Sequence, residues 1–230
     1  MNTINATSLW EPISPKMIPL MAVVNINQYH ECPAIIFNSQ YAITAAECIV
    51  QYSSTSVQTG FQTREIIKVE KAPKYVRLRK WDHNAAIITL DNIPSKSCLT
   101  LNKKSALLSK QLYVYSFDHV KRNHPSKSMS QRKYIKISHQ RCQGIASIHM
   151  QHDTLYNIIC VTPKEKGLSK KPAVGSPLVS FRKDSECPEF IGPVISVLVF
   201  DGEEVVIATK FHTLVKVLPG QDLEFIQVHQ

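Results

Sequence analysis

The stretch that decides the fold is Cys32–Cys48, CPAIIFNSQYAITAAEC. An apolar, β-prone run leads from Cys32 into a turn at Asn38-Ser39. A second β-prone run follows and closes on Ala45-Ala46-Glu47-Cys48. Two strands around a turn with a cysteine at each outer end predict a disulfide-locked hairpin. A bridge of this span constrains the unfolded chain by roughly 3 kcal/mol in the loop-entropy model.

Working outward, the 230 residues suffice for one large all-β unit or two small lobes. A hydrophobic fraction of 43% with 20% charged residues is that of a globular chain, not a disordered one. No run approaches the ~18 apolar residues of a membrane span. The six cysteines include no CxxC pair, which argues against a zinc site or a thioredoxin-like motif and for disulfides in an oxidising compartment. Asn5-Ala6-Thr7 is a glycosylation sequon, with Asn5 as acceptor, and fits the same route. The first sixteen residues hold no basic segment followed by an apolar one. The expectation is a secreted, extracellular protein whose signal peptide has been removed from this numbering.

The net charge of +9 is unevenly placed. Lys121, Arg122, Lys127, Arg132, Lys133, Lys136 and Arg141 fall in one stretch without an acid, and Lys164, Lys166, Lys170 and Lys171 form a second basic run. Such fields attract polyanions. No aromatic interleaving or nucleic-acid motif accompanies them, so solvated basic loops are the plainer reading and nucleic acid is not an expected partner.

Short apolar or alternating runs recur at 20–25, 34–37, 41–44, 65–69, 85–90, 111–117, 134–138, 156–161, 177–181, 193–200 and 205–208. Helical periodicity is scarce, and the pattern predicts an all-β sandwich or barrel. A polar stretch at 94–109 reads as a bridge between two halves. Phe211–Leu218, stopped by Pro219-Gly220, is the best helix candidate, and the alternation of 222–229 is strand-like.

Four motifs, in order, resemble those of the trypsin/chymotrypsin-like serine proteases. AITAAEC (42–48) is similar to LTAAHC, and NAAIITL (84–90) to DIALLKL. PAVGSPLVS (172–180) is similar to GDSGGPLVC. IGPVISV, followed by VIATKFHTLVKVL, is similar to the family's closing segment. The resemblance implies two antiparallel six-stranded β-barrels with a short C-terminal helix. It divides the chain into an extension at 1–16, a first barrel at about 17–100, a second at about 105–210, and a helix and tail at 211–230. It also implies bridges Cys32–Cys48 and Cys142–Cys160, and leaves Cys98 and Cys187 either paired or as two free thiols. One family bridge is missing at Leu112 and Ser180, and Lys170 stands at half of another.

Family chemistry needs a serine nucleophile, a histidine base and an aspartate that orients it. The resemblance places Glu47 at the base, Asn84 at the orienting position and Val174 at the nucleophile. Valine has no lone pair, and a carboxylate with an ordinary pKa near ~4.3 is a poor base for a serine hydroxyl. Pro172 occupies an oxyanion-hole position and has no N–H to donate. Ala173 replaces the aspartate that pairs with a freshly cleaved amino terminus in the family, and no Ile-Val-Gly-Gly cleavage site precedes Pro19.

Two rescues are conceivable. One is Ser176 in a shifted register, which lacks a base and precedes Pro177; the other is a displaced Asp82–His83 pair, more plainly a polar strand start. His149, His152 and Asp153 have a spacing that metal sites sometimes use, but an incidental surface cluster is the simpler reading, so neither metal nor cofactor is expected. Trp10 and Trp81 are partner anchors or packing residues.

The resemblance thus implies a proteolytically inactive homologue acting as cofactor, decoy or regulator through an extracellular protein partner: a protease, zymogen or receptor. Its surface loops at 121–132, 76–83 and 164–171 would carry the binding. The alternative is a polyanion-binding module, glycosaminoglycan above all, using 121–141 and 164–171.

Overall fold

The computed structural model describes residues 10–27, 30–38, 40–49, 56–59, 62–77, 81, 83–91, 98–101, 111–117, 129–149, 155–165, 170–182, 185, 187–218 and 222–226. After a two-residue strand β1 (Glu11–Pro12), seven strands make the first sheet. They are β2 (Met21–Asn27), β3 (His30–Phe37), β4 (Tyr41–Thr44), β5 (Ser56–Thr59), β6 (Gln62–Arg64), β7 (Ile66–Lys71) and β8 (Ala86–Leu90). Their order is β6-β5-β2-β3-β4-β8-β7. Because β6 runs into β7 across the single residue Glu65, the two edges are halves of one bent strand. The sheet is a nearly closed barrel, its two edges joined through Glu65.

The second sheet contains β9 (Thr100–Leu101), β10 (Gln111–Phe117), β11 (Met129–Lys136), β12 (Ile158–Pro163), β13 (Pro177–Phe181), β14 (Glu189–Phe200) and β15 (Glu203–Thr209). Six of these, in the order β11-β10-β13-β14-β15-β12, close through a β11–β12 pairing. The fold is therefore an all-β double barrel. Leu112 and Ser180, the expected site of a missing bridge, are direct cross-strand partners and both fully buried.

Period-two alternation sorts the apolar side chains into cores. Ala22, Val24, Ala34, Ile36, Ala42 and Ile88 fill the first barrel, while Leu112, Val114, Ile159, Val161, Leu178 and Val206 fill the second. The opposite faces of the same strands, through Val23, Ile35, Ile43 and Ile87, meet Tyr115, Phe117, Val179, Phe190 and Phe211 in the seam between barrels.

Three disulfides join Cys32 to Cys48, Cys98 to Cys187 and Cys142 to Cys160. The free-thiol alternative for Cys98 and Cys187 is thus overturned.

The α-helix lies elsewhere than expected. Phe211–Leu218 forms only a 3-10 turn at Phe211–Thr213, then β16 (Val215–Val217), which pairs with β17 (Leu223–Phe225). The Val-Lys-Val and Leu-Glu-Phe triplets each alternate apolar and charged. Lys216 faces Glu224 at 2.9 Å, and Val215, Leu223 and Phe225 are buried in the seam. Period two prevails over period 3.6, and the strand-like tail finds its partner. The α-helix is α1, His139–His149, where no helix is expected. Ser138 caps it, its Oγ accepting from the Arg141 N–H at 3.3 Å. Only Cys142, Ile145 and Ala146 form its buried stripe, too narrow to read as a helical pattern.

Candidate functional site

The three positions expected to carry chemistry come together at the seam. Glu47 lies on the 3-10 turn Ala46–Ile49 that ends the opening hairpin. Fully buried Asn84 precedes β8. Two hydrogen bonds join them: the Glu47 N–H donates to Asn84 Oδ1 at 3.0 Å, and Asn84 Nδ2 donates to Glu47 Oε2 at 3.2 Å. The second barrel reaches across, Thr209 Oγ1 donating to the Asn84 carbonyl at 3.2 Å. Nearby, burial and then the negative charge of Glu47 push the Tyr75 phenol up to about 12, keeping it protonated at physiological pH.

Val174 sits at the turn before β13. Its half-buried side chain packs on a core cluster drawn from the first barrel, α1 and the second barrel, and its carbonyl oxygen lies 3.8 Å from Cys48 Sγ. The turn is fixed by backbone bonds, Ser176 N–H to Ala173 O at 3.1 Å and Gly175 N–H to Val194 O at 2.8 Å. Pro172 is buried and contributes no donor. Ser176 is fully buried, with its Oγ 3.4 Å from that of Ser116. His83 is turned to Asn157, with 3.3 Å between Nε2 and Nδ2, and Asp82 lies outside the described residues. The His149 side chain, His152 and Asp153, read from the sequence as an incidental surface cluster, also lie outside. Among the described residues no group of three or more metal-ligating side chains occurs.

The described basic candidates differ in burial. Arg132 is buried at 3% exposure, a correction to its expected place on a binding loop. Its Nη1 lies 3.6 Å from Glu204 Oε1 and its Nη2 donates to the Glu165 carbonyl at 2.9 Å. The cause is strand alternation, since Ser130, Arg132 and Tyr134 share the inward face of β11. Lys170 Nζ donates to the Phe117 carbonyl at 3.3 Å, while Lys164 and Lys171 are exposed. Lys121, Arg122, Lys127 and Lys166, like the sequon at Asn5, lie outside the described residues. Trp81 packs on the first barrel and Trp10 on the second.

Sequence reasoning missed the supports of the site: Tyr75, Ser116 and Thr209. Gly175 carried a signal, being the one glycine retained from the family's run, but buried hydroxyls such as Ser116 and Thr209 carry none.

The double barrel and the placing of Glu47, Asn84 and Val174 at its seam define a protein of serine-protease fold. The chain matches the family model described as Trypsin over residues 11–217, and so belongs to the trypsin family. No curated protein matches the chain.

The Glu47–Asn84 pair depends on the Nδ2 donor of Asn84. Replacing Asn84 by the family's aspartate would exchange the Nδ2 donor for an oxygen and set two carboxylates side by side. We expect Asn84→Asp to destabilise the fold by about 2–3 kcal/mol at pH 7. The new pair shares a proton, so its folded-state pKa is raised above the ordinary carboxyl value. The loss is then full at neutral pH and fades as pH falls to about 4. Urea melts of both proteins from pH 7 to pH 4 measure this, and a gap that stays constant or widens in acid refutes it.

Proposed function

We propose that this trypsin-family protein is proteolytically inactive, secreted, and works by binding another protein in an extracellular pathway. One observation carries the reading: the position matched to the family's base holds a carboxylate clasped to Asn84, and the position matched to its nucleophile holds Val174. Valine offers no atom for attack, and a carboxylate is a poor base for proton abstraction from a hydroxyl. The rigid double barrel remains, with three disulfides that suit an oxidising compartment. The segments 121–132, 76–83 and 164–171, which in the family surround the cleft, would supply the contacts.

The polyanion alternative loses support with Arg132 buried, though Lys164 and Lys171 stay exposed. The test has two arms. A fluorophosphonate probe should leave the purified protein unlabelled, and crosslinking in its native fluid should recover one protein partner whose capture persists at high salt. Labelling that is abolished by Ser176→Ala would overturn inactivity. Heparin affinity that falls steeply with salt, without a protein partner, would overturn protein binding.

A further inference from the structure

We infer that the segment Trp10–Met17 is a built-in strap that holds the 170–176 turn in its ordered form while remaining an uncleaved part of the chain. Within the expected extension, Trp10, Glu11, Pro12 and Ser14 lie against the second barrel. Glu11 and Pro12 pair with Gln131 and Ser130 on the edge of β11, and the Ser14 N–H donates to Gln131 Oε1 at 3.4 Å. Both ends are anchored: Met17 is fully buried in the seam and Trp10 packs on the second barrel's core.

From this strap two routes lead to the turn. The direct one is the Trp10 indole, whose Nε1–H donates to the Lys170 carbonyl at 2.9 Å, two residues before Pro172. Lys170 is in turn tied to β10 by Nζ to the Phe117 carbonyl. The second route runs through the strands. Ser130, opposite Pro12, has its Oγ 3.5 Å from the Ser116 carbonyl oxygen. Ser116 Oγ accepts from the Ala173 N–H at 3.5 Å and lies 3.4 Å from Ser176 Oγ. Ala173 offers no carboxylate with which a cleaved amino terminus could pair. A neutral indole donor in mid-chain, backed by strand pairing, takes over the ordering, and no cleavage is required. This holds whether or not the chain binds a partner.

Hydrogen–deuterium exchange on the full chain tests the strap. Trp10→Phe keeps an aromatic ring but deletes the donor, and should speed exchange of the 173–176 amides at least about fivefold, the worth of one hydrogen bond. Trp10→Ala should exceed tenfold, and in both variants the Cys32–Cys48 peptide should keep its wild-type rate. Acetylating the α-amine should leave the turn unchanged. Unaltered exchange at 173–176 in Trp10→Phe, an equal rise in both barrels, or a turn loosened by acetylation would each overturn the inference.

Discussion

Gly192→Ala should leave no folded protein at 25 °C. Gly192 lies on β14 opposite Leu178 of β13, and a Cβ built on it would stand 1.5 Å from the Thr209 carbonyl oxygen and 2.7 Å from the Thr209 carbonyl carbon. No rotamer relieves this, because both partners are backbone, so β14 or the end of β15 must move. Movement there is costly. The Lys210 N–H donates to the Asn157 carbonyl, and Thr209 Oγ1 donates to the Asn84 carbonyl. Displacing Thr209 therefore strains the second barrel and the clasp on Glu47 together. Overpacking typically costs 1–3 kcal/mol where side chains can yield. With backbone on both sides we expect more than about 5 kcal/mol, comparable to the whole stability of a domain. The protein should be insoluble on expression, or lack a cooperative urea transition if recovered. A soluble variant melting within about 1 kcal/mol of wild type would show that the strands separate more easily than this close approach allows.

How far the sequence reveals the molecule depends on what each residue encodes locally. Tyr41–Thr44, Gln111–Phe117 and Pro177–Phe181 are found at their expected boundaries because alternation or β-branching marks them directly. β5 and β6 carry no such mark, since Ser56–Thr59 and Gln62–Arg64 are short and polar, and pairing of β5 with β2 and of β6 with β5 makes them strands. α1 was hidden for the reason that its buried stripe is three residues wide. The C-terminal turn and hairpin were misread as a helix because Leu214, Val215 and Leu218 satisfy helical spacing as well. The partner that decides the matter, Leu223–Phe225, lies beyond the Pro219-Gly220 break.

At the candidate site the motifs single out Glu47, Asn84 and Val174. They do not reveal that Asn84 holds Glu47 by both its amide atoms, because a hydrogen bond across 37 positions leaves no periodic trace. The basic stretch fails differently. Charge along the sequence says nothing about which side of β11 a residue faces, and Arg132 falls on the inward side.

Gly175→Ala is expected to cost about 3 kcal/mol or more and to loosen the seam beside Glu47. Two effects combine. The φ of +90° belongs to glycine, and an L side chain in left-handed backbone costs roughly 1–2 kcal/mol. The added Cβ would also lie 2.6 Å from the Pro33 carbonyl oxygen, 2.6 Å from Thr44 Oγ1 and 3.3 Å from Cys48 Sγ. All three belong to the disulfide-locked hairpin, and Thr44 Oγ1 is held in place by donating to that same Pro33 carbonyl at 2.8 Å. Glycine is therefore what lets the turn bearing Val174 press against the stretch bearing Glu47. Only one of the two closest atoms is a side-chain atom, which makes the argument testable by a double-mutant cycle. In a Thr44→Ala background the hydroxyl contact is gone while the backbone strain and the Pro33 contact remain. Gly175→Ala should then cost about 1 kcal/mol less in urea denaturation than it does in the wild type. Strict additivity would mean that the hydroxyl contact contributes nothing, leaving backbone strain and the Pro33 carbonyl to account for the full cost.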